Sequence, residues 1–465
     1  MEREELAAWL RLTLTPGVGN GTARKLLAAF GLPTAIFKQP ANALAQVVSP
    51  TQVASLRVEP SALAAQLDTT WRWLNHEGEP GRADENHRTG ERSGTGEGAN
   101  TGHRCILALG DAGYPEVLLN IEDPPLMLYL LGAASTQISE SKTSFPHVLY
   151  AKYAIDIVVN CLSQSTAQSV AIVGSRNPTP QGLDNARQFA RALCQAGLAV
   201  VSGMALGVDG AAHEGALEGF DALAAQKKAA PGQLATIAVV GTGLDRVYPG
   251  RHRALAHAIA QNGLIISEYP LGTPPLAANF PKRNRLIAGL AQGTLVVEAA
   301  LKSGSLITAR MAAEQGKEVF VIPGSIHSAQ SRGCHALIRE GAKLVESPQD
   351  VLEDLKIDYA INTIAKEVFS TSEKGINDPQ KVFRNVFKDD AMMKAAPEHA
   401  APDFAEDAAQ DALLTALGFD PVSLDALQAR TGIDTAHLQA QLMTLELQGA
   451  VARLPGGLFQ RSAAA

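Results

Sequence analysis

The residues with the most chemical reach in this sequence are Phe280, Lys282, Arg283, Asn284 and Arg285, within the run Phe280-Pro281-Lys282-Arg283-Asn284-Arg285. Three cations in four residues can neutralise a phosphate backbone, and the adjoining aromatic face can take a stacked base, which is what a groove for single-stranded nucleic acid needs. The competing use is internal. Arg283 and Arg285 can pair with Asp209, Glu268 or Glu298, so we expect about two of the three cations to face a ligand and at least one to be structural.

Glycine turns supply further donors. Gly174, Ser175 and Arg176 follow the apolar run VAIV, just ahead of a helix opening near Gln181. Gly203 lies in SGMALGVD, Gly241 in GTG, and Lys302, Gly304 and Ser305 open the helix LITARMAAEQG. Glycine lets backbone N–H groups approach a phosphate, a helix N-terminus favours negative charge, and Arg176 adds a planar fork of donors. Each turn alone is equally a tight strand-to-helix connection, but four of them on one sheet can share a rim.

Catalytic equipment is sparse. Asp209 and His213 stand four apart on a helix and share a face, with no nucleophile or metal cluster beside them, which makes them an orienting pair rather than a reactive one. Glu298 is the one carboxylate at a glycine-rich turn that could sit over a glycosidic bond, and we expect it to partner an arginine. No Walker motif and no GxGxxG with a downstream acidic ribose ligand occur, so no catalytic residue, cofactor or metal is assigned. Cys105, Cys161, Cys194 and Cys334 form no CxxC pair, which argues against a disulfide framework or zinc ribbon.

These residues must be carried by elements. VAIVG (170–174), LAVVSG (198–203), TIAVVG (236–241), LIISEYP (264–270), TLVVEA (294–299) and EVFVIPG (318–324) are short apolar runs separated by helical stretches. That alternation predicts an α/β fold, a doubly wound, extended Rossmann-like parallel sheet, in which ligands sit outside the carboxyl ends of the strands. Residues 168–348 hold 17 Lys and Arg against 12 Asp and Glu, leaving 23 against 35 elsewhere, so the basic part of a chain of net charge −7 is its middle.

Around this core we expect a helical domain over 1–76, a flexible polar insert over 77–104, a DNA-binding domain over 105–348, a linker over 349–407 and a winged helix over 408–465. The stretch 221–235 and the region near 135–168 look like further insertions. In the first domain LTPGVGNGTARKLL resembles a helix-hairpin-helix turn, which is as compatible with a phosphate contact as with a plain glycine turn. The tail's would-be recognition helix, 434–449, contains no Lys or Arg, which argues against major-groove reading; its Leu438, Leu442, Leu445 and Leu447 suggest core or a partner face. No apolar run is long enough to cross a bilayer and the acidic start lacks signal-peptide order, so a cytoplasmic location is expected.

The segments GSRNPTPQG, VVSGMALGVDGAAHEGAL, AVVGTGLDRVYPGRHRAL, SEYPLGTPPLAANFPKRNRLIAGLA and EAALKSGSLITARMAAEQGKEVFVIPG together resemble the DNA-processing protein A (DprA/Smf) family over about 170 residues. The resemblance implies a non-enzymatic, homodimeric protein that protects incoming single-stranded DNA and loads a RecA-type recombinase during natural transformation, with a single-strand-binding protein as a further partner. It also implies that Gly174, Ser175, Arg176, Phe280, Lys282, Arg283, Asn284 and Arg285 line the DNA groove, and that the helix beginning near Gly333 lies close to the dimer contact. His335 stands where the family pattern has asparagine. The rival classes are a nucleotide-cleaving phosphoribohydrolase-like enzyme on a related fold, and a pure adaptor that docks proteins through its end domains.

Overall fold

The computed structural model of the chain describes residues 1–75, 102–132, 158–230 and 232–356, together with 413, 417 and most of 422–461. Its centre is a nine-stranded sheet. In chain order the strands are β1 (His103–Ala108), β2 (Met127–Gly132), β3 (Ser169–Val173), β4 (Ala199–Ser202), β5 (Thr236–Val239), β6 (Leu264–Ser267), β7 (Gly293–Val296), β8 (Glu318–Val321) and β9 (Lys343–Leu344). In space they run β1-β2-β6-β5-β4-β3-β7-β8-β9. From β6 to β9 every pairing is parallel, while β2 lies antiparallel on β6 and β1 antiparallel on β2.

The alternation of side chains across each strand shows why both faces must be covered. Val170 and Ile172 of β3 join one apolar cluster, and Ala171 and Val173 join the other. The first cluster continues without a break into the N-terminal helices through Leu6, Trp9, Leu10, Leu26 and Leu56. The chain winds outward from β3 to β6 and then crosses back to β7 on the opposite flank of β3. The switch point of the sheet therefore lies between β3 and β7, and a crevice is expected outside their carboxyl ends.

The six expected parallel strands are all present, and three boundaries change. β1 starts at His103, inside the stretch taken as a flexible insert, because HRCILA pairs residue for residue with MLYLLG. The edge hairpin these two form was not among the expected strands. The helix Val208–Ala225 runs into 221–235, and the helix Pro348–Asp354, opened by a Ser347 capping box, runs into 349–407. The rest of the insert (77–101), of the linker (357–407) and of the extra stretch (135–157) lies outside the described residues; 158–167 is helical and buries Val158, Cys161 and Leu162.

In the tail, β10 (Val422–Ser423), the helices Leu424–Thr431 and Thr435–Leu447, β11 (Val451–Leu454) and β12 (Leu458–Arg461) have winged-helix order, with β12 between the other two strands. Leu438, Leu442 and Leu445 are buried in a core of the tail's own with Leu413, Leu417 and Phe459, so they pack inward; the side chain of Leu447 lies outside the described residues.

Candidate nucleic-acid interface

The connections after β3, β4, β5 and β7 open at one rim of the sheet, and beneath it the connection after β4 is tied to the end of β5 by Arg283. It lies on the helix Asn279–Leu290 and is only 3% exposed. Its Nη1 donates to the carbonyl of Gly203 at 2.6 Å and to that of Val239, and its Nε donates to Phe280 O at 3.4 Å. A Cβ on Gly203 would meet Arg283 Nη2 and Asp209 Oδ2, each at 2.6 Å, so only glycine allows this close approach. Burial pushes the Asp209 carboxyl up and the Arg283 guanidinium down, and each charge opposes the shift of the other.

Arg285 is committed as well. Its Nη1 and Nη2 donate to Glu268 Oε1 and Oε2 at 2.7 and 2.6 Å, with side-chain exposures of 12% and 10%. Burial lowers the Arg285 guanidinium, and the Glu268 carboxylate more than reverses that, leaving the group above its ordinary value. The expectation that two of the three cations of this run face outward is thus corrected: only Lys282 does, because buried guanidinium groups need carbonyls or carboxylates around them and find them here.

Other expected contacts also turn inward. Gly203 and Gly241 are buried, the latter with the Phe280 ring 3.1 Å from where a Cβ would stand. Ser175 is buried; its Oγ accepts from Asn177 N at 3.1 Å and its carbonyl from Val208 N at 3.1 Å, which joins the β3 and β4 connections. Ser305 is buried and its hydroxyl bonds with that of Ser303 at 2.7 Å. What the rim does present is Arg176, Lys282, Lys302 and Gly304, all exposed, with Gly174, Phe280 and Asn284 half-buried. The Arg176 guanidinium sits 5.8 Å from the Phe280 ring centroid, which brings the cation after β3 next to the aromatic of the 280–285 run. Asn284 Nδ2 donates to Gly304 O at 3.5 Å, across to the β7 connection.

The other candidates resolve as structure. Glu298 partners no arginine among the described residues. Its carboxylate accepts from Thr179 N at 2.9 Å and from the Thr179 hydroxyl, which places it at the start of the helix Pro180–Gln195. The anion-favouring end of that helix is therefore occupied by the protein's own carboxylate, held somewhat above its ordinary pKa by burial. His213 is not oriented by Asp209: its Nδ1 bonds with Thr236 Oγ1 at 2.7 Å, and that hydroxyl donates to Val200 O at 2.6 Å. Burial first, and then His252 and Arg283, push the His213 imidazole down to about 3, so it is neutral and cannot hold a phosphate.

The helix-hairpin-helix turn is likewise in internal use. Asn20 Nδ2 and Arg24 Nη1 donate to the two oxygens of Asp123 at 3.0 and 2.8 Å, and Arg285 Nε donates to the carbonyl of Asp123 at 3.0 Å. Donors suited to a phosphate thus join the helical unit to the rim. Sequence reasoning missed Asp123, which carries no motif. It also missed Tyr248, within the quoted GTGLDRVYPG, whose ring centroid lies 5.5 Å from that of Phe280.

Among the described residues no helix is long and apolar enough to cross a membrane, and no group of three or more His, Cys, Asp and Glu side chains could hold a metal ion. The family model described as DNA recombination-mediator protein A matches residues 137–356, and that of the DprA winged helix domain matches 396–457. The chain is 34% identical over 360 residues to protein Smf of Synechocystis sp. (strain ATCC 27184 / PCC 6803 / Kazusa), covering 77% of this chain and 80% of that one. It is 38% identical over 289 residues to protein Smf of Escherichia coli (strain K12), where 62% of this chain matches 66% of the relative, just under two thirds of its length. Among solved structures, DNA processing protein A (DprA) from Streptococcus pneumoniae shares 30% identity over 76% of this chain and 98% of its own, with a TM-score of 0.53.

Proposed function

The chain belongs to the DprA/Smf family of DNA recombination-mediator proteins, and from that premise we propose that it binds single-stranded DNA along the rim at the carboxyl ends of β3, β4, β5 and β7. The observation that carries this reading is the exposed set Arg176, Lys282 and Lys302 on the rim, with Arg176 beside the Phe280 ring and Phe280 next to Tyr248. Charge neutralises phosphates and the rings take bases, neither of which requires a defined sequence. Arg283 and Arg285 hold the rim's shape from beneath and make no contact with the strand. No bond is broken, since Glu298, the carboxylate best placed for cleavage, is turned to Thr179.

The finer role is the mediator's: a protein of the cytoplasm that shelters the strand and hands it to a RecA-type recombinase, with a single-strand-binding protein as a further partner. Two copies pair around the helix Arg332–Arg339, where the chain on either side exposes Ile326 and Leu344. Titration of matched single- and double-stranded oligonucleotides at two salt concentrations tests the binding reading. We expect tighter binding of the single strand, and a log affinity that falls with log salt by about 0.7 per phosphate neutralised. Equal affinity for both forms, or an affinity indifferent to salt, would reject it.

A further inference from the structure

Resting on the single-strand reading above, we propose that Tyr248 is a stacking platform for an unpaired base at the rim. Among the described residues it is the most exposed Phe, Tyr or Trp, at 48%, and it stands on the connection that follows β5. Its ring lies 5.5 Å from Phe280 with the planes tilted by 36°, and the Arg176 guanidinium lies 5.8 Å from the same Phe280 ring. The three side chains form one continuous patch in which Phe280 is half-buried against the Gly241 backbone, while Tyr248 keeps much of its ring in water. Leu276, 50% exposed on the connection after β6, and Leu206 on that after β4 add apolar surface to the same rim. A ligand recognised by phosphate charge alone has no use for such a surface. A base has a π face to cover it, and neighbouring cations hold the backbone that brings the base there.

The test is fluorescence anisotropy of the full chain with two probes of equal length, an oligothymidylate and an abasic oligonucleotide carrying the same phosphates. Tyr248→Ala is expected to bind the oligothymidylate roughly tenfold more weakly and the abasic strand within about twofold of the unaltered chain. Tyr248→Phe should match the unaltered chain on both probes. Tyr248→Leu keeps apolar bulk against Phe280 should the alanine variant not fold, and should lose the same preference for bases. Lys282→Ala, by contrast, should weaken both probes alike. Unchanged oligothymidylate binding by Tyr248→Ala and Tyr248→Leu, or an equal loss on both probes, would overturn the proposal. Failure of the unaltered chain to bind either probe would instead overturn the single-strand reading on which it rests.

Discussion

At the scale of single residues, the run Phe280 to Arg285 divides its cations by depth, and the division separates stability from binding. Arg283→Ala would take the nearby positive charge from buried Asp209 and a charged donor from two buried carbonyls, so we expect a loss of about 3 to 5 kcal/mol in a denaturant titration. Arg176→Ala, at an exposed site, should leave stability nearly unchanged and lower single-strand affinity; an Arg283→Ala protein as stable as the unaltered chain would refute the division. His213 yields a pH prediction. Its folded pKa, about 3, lies below the ordinary 6.5, so below pH 6.5 the unfolded chain takes up a proton that the native imidazole refuses. Stability from this group is therefore complete above 6.5 and falls by up to about 1.4 kcal/mol per pH unit towards pH 3. Thermal melts of His213→Gln against the unaltered chain between pH 7 and pH 4 should show the variant losing less on acidification; parallel curves would contradict the assignment. The sequence made Glu268 and Asp209 legible as candidate arginine partners, because opposite charges are few in this region. It could not tell which cations remain outside, since that depends on how deep each turn of one helix lies.

At the scale of elements, the parallel strands were legible because short apolar runs bounded by glycine turns and alternating with helical stretches have few other uses. The edge hairpin β1–β2 was not, because eighteen intervening residues and a polar approach hide the pairing of HRCILA with MLYLLG. The helix Asn279–Leu290 that carries the rim is fixed at both ends. Arg283 and Asn284 hold its first turns to the neighbouring connections, and Lys317 Nζ donates to the carbonyls of Ala288 and Gly289 at 2.8 and 2.7 Å. Burial lowers the Lys317 ammonium to about 8. The N-terminal part of the helix Asn20–Phe30 is engaged through Asp123, and no sequence pattern announces that partner because it lies about a hundred residues away. Asp123→Ala should raise amide hydrogen exchange in Asn20–Phe30. A double-mutant cycle with Arg24→Ala should return a coupling of about 0.5 to 1 kcal/mol. Independence of the two substitutions, with unchanged exchange, would show that the helical unit is held by its apolar face alone.

At the scale of the whole molecule, a chain of net charge −7 keeps a local excess of cations in its central unit, and the sheet's topology collects loop residues at the carboxyl ends of its strands. Both were legible from charge counting and strand order. The share of those cations available to a ligand was not, because several are fixed by carbonyls and carboxylates that only the folded chain brings near. The central claim is that Arg176, Lys282 and Lys302 neutralise the phosphates of a single strand while the deeper arginines shape the site. The most direct test is the slope of log affinity against log salt for a single-stranded oligonucleotide, measured for the unaltered chain and for the triple variant Arg176→Ala, Lys282→Ala, Lys302→Ala. Loss of three phosphate contacts should make the slope shallower by about 2. An unchanged slope in a folded triple variant would place the phosphates elsewhere and contradict the account.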